Sequence, residues 1–260
     1  MRNIVCAAAF LLLQAPFAQA AESAPSTDAA ALKEARQAVT AVLSRIDSAL
    51  AQAAPKTAAD PAGTLEGLRQ GLPVATCAVM DRQGKLTAVA PKENERFVGT
   101  DISKQDHAVK LLKSHKPVMG EVFTAVEGFV GVGIYRPLFS GKKEFAGGVG
   151  VLVKPEDLLA AALDPLQGKD GRYFWVMDTS GRVLYDADKP EIGKMIFSDP
   201  LYSPYPELLA LGKRIAARAQ GRGEYKFSQT GGKEVVAKSA LWDTVGLHGA
   251  RWRLVLARPK

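Results

Sequence analysis

The sequence predicts an α+β protein in which a long N-terminal helix precedes two modules, each an antiparallel sheet flanked by short helices. Two observations lead to this architecture. The motif Val-Met-Asp-x-x-Gly-basic-apolar occurs twice, beginning at Val79 and again at Val176. In addition, the hydrophobic period changes after residue 60, from the three- and four-residue steps of a helix to the alternation of strands.

The first twenty residues have the pattern of a cleaved secretory signal. Arg2 is followed by an apolar run from Ile4 to Leu13 and by a small-x-small ending that closes at Ala20. The apolar run is about half as long as the roughly 20 residues that cross a bilayer as a helix. We therefore expect cleavage after Ala20 and a periplasmic or secreted mature chain. An uncleaved anchor is the alternative.

The composition is that of a globular protein, with 47% hydrophobic residues and a formal net charge of +7. Such a charge favours nucleic-acid binding in a cytoplasmic protein. Here the basic residues are scattered and the chain is expected to be exported, so we expect no nucleic-acid partner. After the signal only Cys77 remains, which excludes an internal disulfide and indicates a buried strand residue instead of a reactive thiol.

Residues 21–60 are predicted to contain one long helix and a linker. Ser26 supplies its start, and Pro55 and Pro61 mark the break. The helix packs along the following domain, or it pairs with a second copy in a homodimer. Its predicted apolar seam consists of Leu32, Ala35, Val39, Val42, Ile46, Ala49 and Ala53.

The first predicted module, residues 61–160, begins with a hairpin whose turn is the Asp-x-x-Gly of the repeated motif. A short helix follows, opened by Ser103 and closed before Pro117. Further antiparallel strands are then linked by turns at Glu127-Gly128 and Ser140-Gly141.

The second predicted module, residues 161–260, repeats the order of hairpin, helix at 206–219, and strands. Three pairs of residues align at nearly constant spacing, which indicates an internal duplication. These pairs are Asp81 with Asp178, Gly99 with Gly193, and Gly120-Glu121 with Gly223-Glu224.

The order of these features resembles that of extracytoplasmic double-Cache sensor domains, which have a PAS-like sheet. The resemblance covers nearly all of 65–259 and rests on Gly-x-Asp-x-Ser at 99–103, an apolar strand ending at Pro137, and a glycine-rich strand from Gly147. It implies that the first, distal module binds a small molecule between the sheet and the loop that bears the helix. The ligand classes implied are amino acids, organic acids and amines.

The sequence departs from the family where an arginine and an aromatic residue are common, because those positions are Gln105 and His107. The usual arginine clamp on a carboxylate is therefore missing there, and Lys104 or Arg136 could replace it. Phe123 and Tyr135 either line the pocket or belong to the core, and a register error of one residue would exchange Tyr135 for Arg136. The candidate ligand-binding residues are Lys104, Gln105, His107, Phe123, Tyr135 and Arg136.

No enzyme motif is present: the sequence has no His-Glu-x-x-His, Gly-x-Ser-x-Gly, Walker loop or Cys-x-x-Cys. His107, His115 and His248 are dispersed, and the carboxylates offer no convergent set, so we expect no metal ion and no cofactor. His115 is expected to be exposed at a helix end, and His248 to be structural.

The sequence therefore predicts a non-enzymatic, exported small-molecule sensor. Receptors of the resembled family continue into a transmembrane helix and a signalling domain, whereas this sequence stops at Lys260. We therefore expect action through a membrane-bound partner protein. The alternative is a scaffold that keeps the fold without a ligand and assembles through its N-terminal helix.

Overall fold

The computed structural model describes residues 27–228, 232 and 234–260. The predicted secretory signal, with its cleavage after Ala20, lies outside these residues, and so does Ser26, the predicted start of the long helix. No helix in the described part of the chain is long and apolar enough to cross a membrane.

The long helix α1 spans Thr27–Thr57. Two predicted seam positions are wrong, because Leu43 and Leu50 are fully buried while Val42 and Ala49 are only half-buried. A four-residue step after Val39 aligns the larger leucines with the core, where they remove more apolar surface from water. The buried stripe consists of Leu32, Ala35, Val39, Leu43, Ile46, Leu50 and Ala53.

A second helix, α2, spans Pro61–Gly71 and was not predicted. The carboxylate of Asp60 caps it by accepting a hydrogen bond from the Gly63 amide at 2.9 Å, and Pro61 occupies its first turn. The predicted linker is therefore a corner between two helices.

The first module comprises α2 and a six-stranded antiparallel sheet, with helix α3, Asp106–Ser114, packed on the sheet. The strand order is β2-β1-β6-β5-β3, and β4 pairs with β5 at its other end. The strands are β1 Thr76–Asp81, β2 Leu86–Ala90, β3 Val118–Met119, β4 Phe123–Thr124, β5 Val130–Phe139 and β6 Phe145–Val153.

Helix α4, Pro155–Leu163, connects the sheets and crosses the predicted boundary at residue 160. The second module is a five-stranded antiparallel sheet of order β8-β7-β11-β10-β9, on which helix α5, Pro206–Ala217, packs. Its strands are β7 Tyr173–Asp178, β8 Val183–Tyr185, β9 Gly221–Phe227, β10 Val236–Val245 and β11 Trp252–Pro259.

The five strands that form the main path of each sheet are arranged in the same spatial order. This agreement confirms the predicted fold class of a long helix followed by two antiparallel PAS-like modules. The repeated motif has the same structural role in each module. Asp81 Oδ1 accepts hydrogen bonds from the backbone amides of residues 83 and 85, and Asp178 Oδ1 does so from those of residues 180 and 182. Gly84 and Gly181 adopt left-handed conformations in these turns.

The apolar stripe of α1 packs against both modules, through β5 and β6 of the first and β10 and β11 of the second, and against α4. The seam is thus used within the chain, as in the first of the two predicted alternatives. Asp47 reinforces this packing: Arg136 of β5 donates to its two oxygens at 3.0 and 2.7 Å, and His248 Nε2 lies 2.7 Å from Oδ1. His248, expected to be structural, thus links the second module to α1.

Candidate functional site

Four of the six predicted ligand-binding residues lie together in the first module, between its sheet and α3. Gln105, His107, Phe123 and Tyr135 line a cavity of only about 30 Å³. The His107 ring stacks on the Tyr135 ring at a centroid distance of 4.8 Å and lies 5.5 Å from Phe123. Such a space holds one or two water molecules at most.

Glycines in the sheet explain why the first cavity is filled. A Cβ atom on Gly150 would lie 2.3 Å from the Tyr135 ring, and one on Gly133 would lie 2.7 Å from the His107 ring. Both rings can therefore lie flat on the sheet. They occupy the space that a ligand would need.

Two polar side chains of this first cavity are neutral. Burial lowers the pKa of His107 to about 4, so the imidazole carries no charge at pH 7. Burial also holds the pKa of the Tyr135 hydroxyl well above its usual range. The His107 Nδ1 atom is buried without a hydrogen-bond partner among the described residues. The carboxyl group of Glu127 also lines this cavity and accepts a hydrogen bond from the Thr76 hydroxyl at 3.2 Å.

The other two predicted residues do not reach the first cavity. Neighbouring residues of a strand point to opposite faces, so Tyr135 faces α3 while Arg136 faces α1 and pairs with Asp47. Lys104 is exposed and does not line the cavity. The structure thus supplies no cation at the position where the family arginine is missing.

Cys77 and His115, also noted in the sequence, lie outside both cavities. Burial raises the pKa of the Cys77 thiol to about 12, so this fully buried strand residue is unreactive. His115 is exposed at the end of α3 and stacks on Phe145 at 4.0 Å.

A larger cavity of about 280 Å³ lies in the second module, beneath the segment that connects β8 to α5. None of the residues around it was predicted from the sequence. Its lining consists of Tyr173, Trp175, Val183, Asp186, Ala187, Asp188, Glu191, Ile196, Tyr202, Leu208, Tyr225, Phe227, Gly232, Glu234, Val236, Lys238, Ala257 and Pro259.

The strands supply an aromatic wall to this second cavity. Tyr173 and Trp175 come from β7, and Tyr225 and Phe227 from β9. Alternate residues of a strand share a face, which places each pair side by side. The ammonium group of Lys238 lies 5.5 Å from the ring centre of Phe227 and 6.0 Å from those of Tyr173 and Tyr225.

Carboxyl groups face the aromatic wall. Asp186, Asp188 and Glu191 come from the turn after β8, and Glu234 lies at the exposed rim. Burial raises the pKa of Asp186 to about 7 and that of Glu191 to about 8. Lys238 is the one cation among the described residues of the lining. The cavity thus has more acidic than basic groups, and two of the acids hold protons near neutral pH.

Two polar contacts complete the second cavity. The Tyr202 hydroxyl donates a hydrogen bond to Glu191 Oε2 at 3.2 Å. Trp175 Nε1, on a residue only 6% exposed, pairs with the Tyr225 hydroxyl of the same wall.

The arrangement suits binding. Among the described residues that line the second cavity there is no serine, threonine, cysteine or histidine, the usual side chains of nucleophilic catalysis. No cluster of three or more His, Cys, Asp or Glu residues suited to a metal ion occurs in the described ranges.

The sequence held one signal for this second cavity. The segment between β8 and α5 is 20 residues long and combines the acidic stretch Asp186–Glu191 with tyrosines at 202 and 205. The corresponding segment between β2 and α3 has 15 residues. A long connection that carries both charge and aromatic rings is typical of a functional loop.

A known family matches part of the chain, mainly the first module. Residues 41–155 match the family described as HK/GC/chemotaxis protein-like sensor domains. No curated protein matches the chain significantly.

Solved structures match over most of the chain. An extracellular ligand-binding receptor from Desulfohalobium retbaense is 27% identical over 88% of this chain, with a TM-score of 0.73; this chain spans 39% of that receptor. The ligand-binding domain of the Pseudomonas aeruginosa amino acid chemoreceptor PctB is 16% identical, covers 89% of each chain and has a TM-score of 0.61.

The ligand-binding domain of the Pseudomonas fluorescens chemoreceptor CtaA is 16% identical over 88% of this chain and 94% of its own, with a TM-score of 0.63. Likenesses at such low identity establish the fold. Together with the family match over residues 41–155, they support a Cache-type sensor domain as the fold of this chain.

Proposed function

We propose that this chain is an exported, periplasmic sensor protein that binds a small molecule in the second module and acts through a membrane-bound partner protein. The observation that carries the proposal is the difference in interior space, about 280 Å³ in the second module against about 30 Å³ in the first. We therefore place the proposed site in the second cavity, because side chains already fill the predicted site in the first module.

The size and lining of the second cavity support a small ligand. Pockets for small molecules have volumes of about 300–1,000 Å³, mostly apolar walls and a few polar groups that fix orientation. The second cavity lies near the lower limit, which suits a compound of amino-acid size. Its aromatic wall and its carboxyl groups meet both requirements of such a pocket.

The relatives support the ligand class and the location. The PctB and CtaA domains were solved with L-Gln and L-alanine, respectively. An amino acid or amine of similar size is therefore proposed for this chain. The N-terminal pattern of a secretory signal supports export, and the family, named after signalling proteins, supports a membrane-bound partner.

A ligand-free scaffold is the second candidate, and the filled first cavity favours it. In that case the chain would assemble with itself or with a partner through the exposed face of α1, because the apolar seam is already buried. Homodimerisation in either case remains a proposal.

A thermal-shift screen of residues 21–260 separates the two candidates. Its panel would hold amino acids, small carboxylates, amines, purines and sugars. A ligand at one hundred times its Kd stabilises the folded state by about 2.7 kcal/mol, which raises the Tm of a chain of this size by about 5 °C.

Two matched substitutions would place the site. Val236→Trp fills the second cavity and should abolish the shift for any ligand bound there. Val98→Trp, at an exposed position outside the cavity, should leave the shift unchanged. No shift with any compound would favour the scaffold.

A further inference from the structure

The proposed function does not specify the chemical class of the ligand, but the residues that line the second cavity favour one class. We propose that this cavity binds an organic cation, a primary or substituted amine whose ammonium group lies between Asp186, Asp188 and Glu191 and the aromatic wall. This inference rests on the proposed function and assigns a ligand class to its site.

The balance of charge in the second cavity favours a cation. Asp186, Asp188 and Glu191 are close in sequence, and Lys238 is the one basic residue among the described residues of the lining. Carboxyl groups therefore outnumber ammonium groups in the described lining, and a ligand cation would pair with carboxylates that otherwise keep protons. The titratable groups that line the cavity are Tyr173, Asp186, Asp188, Glu191, Tyr202, Tyr225, Glu234 and Lys238.

The aromatic wall favours the same class. A cation within about 6 Å of a ring centre is attracted by the negative face of the ring. Lys238 already makes such contacts with Tyr173, Tyr225 and Phe227 at 5.5–6.0 Å. A ligand ammonium group in the remaining space would meet the same rings, with carboxylates on its other side.

The second cavity has room for this ligand, because about 280 Å³ stays free with Lys238 in place. Trp175 Nε1 is paired with the Tyr225 hydroxyl, so this donor does not require an acceptor from the ligand.

Protonation of the cavity supports the charge argument. Burial raises the pKa values of both Asp186 and Glu191, so protons partly neutralise the empty cavity near neutral pH. A bound ammonium group would replace those protons. Amine binding should therefore strengthen as the pH rises from 6 to 8.5, where an alkylamine with a pKa of roughly 10 is still charged.

A zwitterionic amino acid is the competing class, with its carboxylate on Lys238. The ammonium group of Lys238 already lies over three rings of the aromatic wall at 5.5–6.0 Å. Burial raises the pKa values of Asp186 and Glu191, and the positive charge of Lys238 partly opposes this effect, so it is engaged with carboxyl groups of the chain itself. A ligand carboxylate would have to compete with these contacts, which favours the amine over the amino acid.

Matched ligand pairs test the class by isothermal titration calorimetry on residues 21–260. Each pair differs by one carboxylate: cadaverine with lysine, agmatine with arginine, and phenethylamine with phenylalanine. We expect at least one amine to bind about tenfold or more tightly than its amino acid, the effect of one charge-assisted contact. We also expect its affinity to increase with pH in the window above.

Two variants sharpen this test. Glu191→Gln should weaken amine binding about tenfold, whereas Glu207→Gln, which removes an exposed carboxylate of α5 paired with Lys226 at 3.1 Å, should not. Lys238→Met should strengthen amine binding because it removes a competing cation, but it should weaken the binding of any ligand held through a carboxylate. Asp186→Asn replaces Glu191→Gln if that variant does not fold.

The outcomes separate the ligand class from the proposed function. Tight binding of amino acids or other carboxylates that Lys238→Met and Val236→Trp both abolish would contradict the proposed organic-cation ligand. It would still support the proposed sensor function. Binding of neutral compounds, lost only in Val236→Trp, would do the same. If no compound of any charge binds, both the class and the proposed function fail.

Discussion

The two modules share one fold and differ in their interiors. Each contains a path of five strands in the same order, to which the first sheet adds β4, and each has a hairpin tied by an aspartate and a helix packed on the sheet. Yet side chains fill the first interior, while the second keeps a cavity of about 280 Å³. Strand order therefore fixes where a pocket can form, and the side chains on the sheet decide whether it is open.

Glycines account for much of this difference. In the first module, Gly133 and Gly150 let the rings of His107 and Tyr135 lie flat on the sheet. In the second module, β11 contains no glycine, and Trp175 of β7 and Tyr225 of β9 form a wall around the second cavity. The flat rings of the first module occupy the space of a pocket, whereas the rings of the second module line a pocket that stays open.

The largest expected effect comes from crowding the filled interior. Gly150→Ala places a methyl group 2.3 Å from the Tyr135 ring, which must move. Overpacking of this kind costs about 3 kcal/mol of unfolding free energy, measurable by urea denaturation. Gly141→Ala is the control, because no atom lies within 4 Å of the added carbon. Equal stability of the two variants would contradict the role given to the glycine.

The next effect tests the link between the modules. Asp47→Asn removes the carboxylate shared by Arg136 and His248 and should cost about 2 kcal/mol at pH 7. Burial opposes ionisation of Asp47, but hydrogen bonds from Arg136 and His248 outweigh it and hold its pKa below the usual value.

The pH dependence of Asp47 follows from that lowered pKa. A carboxyl group with a depressed folded-state pKa stabilises the protein above its unfolded pKa, and this contribution is lost as the pH falls below about 4. The stability difference between wild type and Asp47→Asn should therefore shrink between pH 7 and pH 3. A constant difference would show that Asp47 contributes by packing alone.

The first module should lose stability in mild acid because of His107. Its folded-state pKa of about 4 lies below the unfolded value near 6.5, so the unfolded state binds more protons between those limits. Stability falls as the pH drops through this window. His107→Leu should reduce the loss between pH 7 and pH 5 by about 1 kcal/mol, measured by urea unfolding at both values. An unchanged loss would assign it to other groups.

The second module should respond in the opposite direction. Asp186 and Glu191 keep protons to about pH 7 and 8 in the folded state, whereas unfolded carboxyl groups ionise near pH 4. Stability therefore declines as the pH rises from about 4 to 8. Glu191→Gln should stabilise the ligand-free protein at pH 8 by roughly 1 kcal/mol in the same assay. A destabilised variant would mean that the Glu191 carboxylate is already compensated.

The sequence was sufficient to predict the architecture, because each module repeats local signals. The Asp-x-x-Gly turns, the strand periods and the stripe of α1 are all encoded within a few residues. Helices α2 and α4 were missed, since each is short and begins at a proline, Pro61 or Pro155, that also marks the end of a preceding segment. Val42 and Leu43 are neighbours on α1, and only packing against the sheets could decide which of them is buried.

The candidate site was predicted less well for a physical reason. Alternation along β5 correctly brought Tyr135 towards His107, but the sequence pattern carried no measure of the space left between the rings. Asp186 and Glu191 lie in the connection between β8 and α5. Their significance arises from burial beside Lys238, which depends on residues about 50 positions further along the chain.

The shared carboxylate of Asp47 also sets an order of events during synthesis. Helix α1 leaves the ribosome first, but His248 follows 201 residues later and β11, one of the strands on which α1 packs, is completed last. Until then, the leucines and valines of the helix lack part of their final cover. The nascent protein therefore exposes an amphipathic helix that a chaperone can hold. Folding is completed only when β11 has been synthesised and packs on α1.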